Sequence, residues 1–307
     1  MKHLTIITLA ALTLMCSCNS NSKNPFFQEN WDTPWGVNPF DKIKCEHYKP
    51  AFMEGMKRHN AEINAIVNNP EEPTFENTIV ALEASGLFLE RVMLCFFNII
   101  SSERTEKLTA LDEEMAPILS KHGDEIAMNP KLFDRVKAVY NNKENLTHLD
   151  AEDLMLLDIT YKNFVRGGAN LDENSKAQLM KINEELSILG TQFGSNVLND
   201  QNAFVLIIDN EEDLAGLPAA VIAAAADLAK REGHEGKWMW KSLQRSVFTP
   251  LLTFLDNRDL REKVWSAYVN VGNNGNENDN NQIVSRIATL ELEKAKLFGF
   301  ETSAAFV

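Results

Sequence analysis

Basic residues are in short supply in this chain: 30 Lys and Arg stand against 44 Asp and Glu in 307 residues, a formal net charge of −14. No basic stripe with interleaved aromatics offsets that balance, which argues against nucleic acid, whose binding is driven by Lys and Arg neutralising phosphates. Cysteine is scarce too, with only Cys16, Cys18, Cys45 and Cys95, so the chain is no disulfide scaffold. After residue 15 no apolar stretch reaches the roughly 20 residues a membrane helix needs. The six histidines (His3, His47, His59, His122, His148, His234) include no two at a spacing that puts both on one helix face. His234-Glu235 runs on into Gly236-Lys237 where a zinc-binding helix would need a second His. There is no Gly-x-Ser-x-Gly. Gly167-Gly168 and Gly272-Asn-Asn-Gly275 lack the strand-to-helix setting and the third glycine or Lys of a phosphate loop. The adjacent acids Glu71-Glu72, Glu113-Glu114, Glu184-Glu185 and Glu211-Glu212-Asp213 point in different directions on a helix and read as solvated surface. No catalytic residue and no metal ligand emerges from the chain by itself.

The head of the chain reads as a unit of its own. Lys2 and His3 precede the apolar run Leu4–Met15, which is too short for a stable bilayer span and has the length of a signal-peptide core. Met15-Cys16-Ser17-Cys18 and the polar stretch Asn19–Asn24 follow. The pattern resembles a bacterial lipoprotein signal, with Cys18 as the lipidated residue because small Ser17 precedes it while bulky Met15 precedes Cys16. Residues 1–18 are thus expected to be the signal peptide and 19–39 a tether. The protein is expected in the bacterial cell envelope, facing the periplasm and touching the membrane only through its lipid. Cys45 and Cys95 remain. Sequence does not decide whether they pair, although Cys95 sits in the apolar run Val92–Phe97, where a free Cys acts as a small hydrophobe.

From residue 40 onward the periodicity is mainly helical. Apolar spacing predicts helices over 48–67, 74–100, 106–128, 130–140, 151–165 and 173–199, with Asn129 and Asp172 as start signals. The centre of the 74–100 segment, Leu87 to Phe97, is apolar on nearly all sides and is expected to be a fully buried central helix. Phe204–Ile208 and Lys237–Ser242 are the strand candidates, expected to pair as a small hairpin or edge sheet. An Ala-rich helix ending near Gly233 and helices over 249–255, 258–269 and 277–300 complete the pattern, and the polar loop 272–281 is expected to be mobile. The last run opens with an N-cap at Thr302 and stops at Val307. One short turn recovers its nucleation cost poorly, so the chain is expected to be the N-terminal part of a longer protein.

Several runs, in order, resemble one family. They are Pro73-Thr-Phe-Glu-Asn-Thr-Ile79 continuing through Ser85-Gly86 and Leu89-Glu-Arg-Val92; Pro117–Ile126; Phe164-Val-Arg-Gly-Gly-Ala169; Gly216-Leu-Pro218; Asn257–Glu262 with Ala267-Tyr268; and Asp279-Asn280 before Lys296–Phe300. Together they resemble the start of the thimet-type zinc oligopeptidases, which include oligopeptidase A and the bacterial peptidyl-dipeptidases. The resemblance implies a mainly α fold, in which residues 40–307 form a large helical bundle-like lobe of a two-lobed shell around a channel that admits short peptides. It also implies Zn2+ in the full-length protein, held by His-Glu-x-x-His and a downstream Glu that match no position here, so this stretch is expected to be inactive alone. The alternative is a non-catalytic lipoprotein whose helical lobe binds peptides or a protein partner. The blocks also carry structural meanings: Thr74 as an N-cap, Glu76 at a favourable helix start, Arg258 and Arg261 as ion-pair partners.

Overall fold

The computed structural model describes residues 24–28 and 31–307. The signal segment 1–18, with Cys18, lies outside them. Those that are described begin with aromatics that need a dry surface. Asn24 caps the short 3-10 turn Pro25–Phe27 by accepting from Phe26 N at 3.1 Å. Phe26 is fully buried, with its ring 5.4 Å from that of Tyr48, while Phe27 stacks on Phe88. Arg91 fixes the segment by donating to Phe26 O at 2.6 Å and covering the Trp31 ring at 4.7 Å. Aromatics of the expected tether are therefore docked on the helices that follow it. Trp35, in contrast, is 98% exposed.

Two compact units make up the described chain: residues up to Met115 with His122–Asn170, and Ala116–Lys121 with Leu171–Val307. In the first, α1 (Cys45–Val67) packs against α3 (Leu87–Ser102). Tyr48, Phe52 and Phe96 form its aromatic centre, and the Tyr48 hydroxyl lies 3.5 Å from Cys95 Sγ. Cys45 and Cys95 are both free thiols. A second layer gathers Ile63, Ile79, Leu132, Val136 and Leu157 between α1, α5 (Pro130–Asn141) and α6 (Ala151–Arg166). Thr105, Asn129 and Asp150 cap α4 (Glu106–Ala127), α5 and α6 by accepting first-turn N–H groups.

The single helix expected over 74–100 is a misreading. The chain instead forms a π-helical segment at Phe75–Val80, one turn of α2 (Ala81–Glu83), a bend at Ser85-Gly86, and then α3. Gly86 makes the break by taking φ 76°, a left-handed conformation that costs glycine nothing. Nor is α3 buried all round. Leu89, Val92, Cys95, Phe96 and Ile100 face the core, but Leu87 and Leu94 are 59% and 65% exposed. An apolar sequence stripe fixes only the side that finds a partner, and α1 covers one face.

In the second unit α7 (Glu173–Ala203) pairs with α11 (Asn281–Leu297), joined by Arg286, which donates to both Glu185 oxygens at 2.6 and 2.7 Å. The expected strands are present and antiparallel: β1 (Val205–Ile208) and β2 (Trp238–Lys241) pair Leu206 with Trp240. That sheet packs with α8 (Ala219–Arg231), α9 (Arg245–Phe254) and α10 (Arg258–Val269) over Leu206, Leu251, Leu255 and Val264. Thr302 caps the short α12 (Ser303–Phe306).

The Asn-rich loop 272–281 is anchored, contrary to expectation. Buried Asp200 accepts from Gly272 N at 2.7 Å, Asn274 Nδ2 at 2.6 Å and Asn276 Nδ2 at 2.9 Å. Burial would push the Asp200 carboxyl up, but these donors outweigh it and hold it below its ordinary value. Three donors from the loop thus meet this one carboxylate.

Candidate functional site

Side chains within the sequence blocks meet in space, and each meeting point is a structural joint. In the first unit, Thr74 Oγ1 accepts from Asn77 N at 3.1 Å, while Asn77 Oδ1 accepts from Thr74 N at 2.8 Å. This reciprocal cap confirms the expected role of Thr74. Glu76 also sits as expected: backbone N–H donation at the helix start holds its carboxyl below the ordinary value. Arg135, which no sequence pattern singles out, completes the joint. It is buried and donates to Asn69 O, Glu71 O and Asn77 Oδ1 at 3.1, 3.2 and 3.0 Å, pinning the turn before the π-helical segment.

A second joint brings Ser85-Gly86 together with His122 of the 117–126 block. His59 on α1 stands between them, 3.2 Å from Ser85 Oγ and 3.1 Å from His122 Nε2. In the second unit, Gly216-Leu-Pro218 lies against the start of the Asn257–Glu262 block. Asp256 N donates to Ala215 O at 2.8 Å, Asn257 caps α10, and Asn257 Nδ2 reaches Asp213 Oδ1 at 2.8 Å. Arg261, expected as an ion-pair partner, donates instead to the carbonyls of Leu255 and Asp256. Both bonds come from Nη1, which serves two successive carbonyls of the turn after α9. At a fourth joint Asn280 accepts from Asn196 Nδ2 at 2.9 Å.

Concave surfaces are present in both units. A groove of about 760 Å³ runs between Cys45, Lys49 and Met53 on α1 and Lys107, Leu111 and Glu114 on α4. Lys49 and Glu114 form an ion pair beside it. Burial pushes the Cys45 thiol up, the opposite of what a nucleophile needs. Another groove, about 430 Å³, is lined by Ala224, Leu228, Met239 and Val247, with Arg231 and Lys241 also in its wall. Neither brings a nucleophile within reach of a base. Among the described residues no three His, Cys, Asp or Glu side chains stand close enough to hold a metal ion. No described helix is long and apolar enough to cross a membrane.

Comparison with known proteins explains why the blocks are there. The chain is 36% identical over 285 residues to the dipeptidyl carboxypeptidase of Salmonella typhimurium, covering 93% of this chain and 42% of that protein. The chain is a relative of the dipeptidyl carboxypeptidases. With the Escherichia coli dipeptidyl carboxypeptidase it shares 35% identity over 92% of its own length and 41% of the relative's. Oligopeptidase A of Haemophilus influenzae is more distant, 29% identical over 87% of this chain and 39% of that protein. The chain therefore spans about two fifths of the length of these peptidases. No protein-family model matches it. In this chain, residues that carried the resemblance hold turns and caps.

Proposed function

We propose that this chain is the N-terminal helical part of a zinc-dependent peptidyl-dipeptidase or oligopeptidase that hydrolyses short peptides, and that these 307 residues alone are inactive. The observation that carries the reading is the 36% identity to a dipeptidyl carboxypeptidase across 93% of the chain. A catalytic zinc needs three protein ligands and an open position, and the described residues do not offer that set. The ligands and the group that activates water are therefore assigned to polypeptide outside this stretch. What the chain contributes is helical lining for the channel that admits the peptide. The test compares the 307-residue chain with the same chain continued through the downstream reading frame, by elemental analysis and by mass spectrometry of short peptides after incubation. The continued chain should hold one zinc and shorten the peptides, and the 307-residue chain should do neither. Tightly held stoichiometric zinc in the shorter chain would sink the proposal, as would a stop codon directly after Val307, which favours the non-catalytic lipoprotein.

The same reading places the protein on the cell envelope through a lipid on Cys18. Replacing Cys18 with Ala should move the protein out of the membrane fraction or leave it unprocessed, whereas Cys16→Ala should change little. Loss of lipid labelling in the Cys16 variant alone would place the modification at the wrong residue.

A further inference from the structure

Three parts of the first unit meet at two imidazoles: α1 at His59, α4 at His122, and the bend at Ser85-Gly86. The hydrogen positions follow from the geometry. Ser85 Oγ donates to Leu82 O at 2.6 Å, so its lone pairs remain to accept the Nε2–H of His59 at 3.2 Å. That leaves His59 with a bare Nδ1, and the Nε2–H of His122, 3.1 Å away, fills it. The result is a one-way chain of donors from His122 through His59 and Ser85 to a backbone carbonyl, with both rings neutral. The bend is closed onto the ring: a Cβ on Gly86 would stand 2.9 Å from His59 Cε1. The paired nitrogens point at each other rather than at a shared third position, and no third His, Cys, Asp or Glu among the described residues completes a metal site around them.

Protons change this chain in countable steps. A first proton can sit on Nδ1 of His122 and leave every bond in place. A second can go only to Nδ1 of His59. There it would set N–H against N–H across 3.1 Å and place two like charges side by side. We propose that the His59–His122 pair is an acid-operated latch, holding α4 to α1 while it carries no proton or one and releasing it when it carries two.

The charged groups that face the pair are Glu62 on α1 and Glu125 on α4. The Ser85-Gly86 bend carries none. Glu62 is itself held to the bend, accepting from Gly86 N at 2.7 Å. Burial pushes both imidazoles down, and His59 adds to the push on His122. Glu62 and Glu125 oppose it, yet both rings end below the ordinary 6.5. The sign follows: the opened form takes up protons first, so closure is complete above about pH 6.5 and is lost as pH falls through the lower folded values.

The experiment is amide hydrogen exchange in α4 of the full chain between pH 5 and 8, corrected for intrinsic exchange chemistry. Below pH 6.5, where the latched pair is still empty and the opened pair binds two protons, the opening constant should rise by up to about 100-fold per pH unit, falling to about tenfold at the acid end, where the latched pair already holds one. His122→Gln still donates to His59 but binds no proton, so its slope should fall to tenfold per unit or less, and His59→Gln should behave alike. A wild-type slope no steeper than tenfold would overturn the latch, as would an equal acid response in the Gln variants. The wild-type slope decides the matter even if neither variant folds.

Discussion

Replacing Arg135 with Met should destabilise the chain by about 3 kcal/mol. Met fills a similar volume, so the loss is one of hydrogen bonds rather than packing. The three carbonyls that Arg135 now serves, Asn69 O, Glu71 O and Asn77 Oδ1, would lose a charged donor together. Hydrogen bonds to charged groups contribute about 1.5–3 kcal/mol each, and relief of the buried guanidinium offsets part of that sum. Arg135→Lys should recover little, because one ammonium cannot span three acceptors held by a planar fork. Chemical denaturation reads the effect as a lower midpoint at unchanged slope. An unchanged midpoint in the Met variant would show that the turn holds itself, by the Thr74–Asn77 cap alone.

Gly216→Ala should be more damaging still, about 4 kcal/mol or more. The added Cβ would lie 2.0 Å from Phe254 O, a backbone atom fixed by its own neighbours, and the residue sits at φ 89°. Overpacking costs about 1–3 kcal/mol and occasionally more, and the left-handed backbone adds about 1–2 for a residue with a side chain. Gly233 provides the control. Its φ is 83° but nothing lies within 4 Å of the added atom, so Gly233→Ala should cost only the backbone share. Emission from Trp238 and Trp240, on the strand packed in this unit, follows the unfolding. Equal midpoints for the two variants would mean that the 215–217 turn can step away from α9.

These two positions show what was readable in advance. Gly216 stood in a block that marked the family, but a sequence block carries no sign of which backbone atom it approaches. Arg135 had no local signal at all, since Phe133-Asp-Arg-Val136 looks like any amphipathic helix and its acceptors lie 58 to 66 residues away. Helix starts were legible at Asn129 and Asp172 because capping is settled within three residues. The β1–β2 pair was legible because two short apolar runs among helices have few other partners. Gly86 was not read as a break, since one glycine in an apolar stripe leaves the helical period intact. The pairing of His59 with His122, 63 residues apart, depends on how α4 is laid down on α1 and leaves no spacing to find. For chemistry, the sequence named its family and no catalytic group, and the described residues bring no metal-binding set together.

The knot at Asp200 has a consequence for how the protein ages. Asn274 precedes Gly275, the sequence setting in which an asparagine amide most readily closes onto the following backbone nitrogen and sheds ammonia. Here that amide is held to Asp200 Oδ2, so ring closure has to break the contact first. Once the conversion happens it cannot be undone by refolding. The side chain that tied the loop becomes a carboxylate facing another carboxylate, and two like charges at hydrogen-bond distance repel where amide and acid had attracted. Closure sheds ammonia and leaves a cyclic imide, and water then opens that ring to aspartate or to its isoaspartyl isomer. This conversion, slowed by the contact it eventually destroys, would set the shelf life of the loop between α10 and α11.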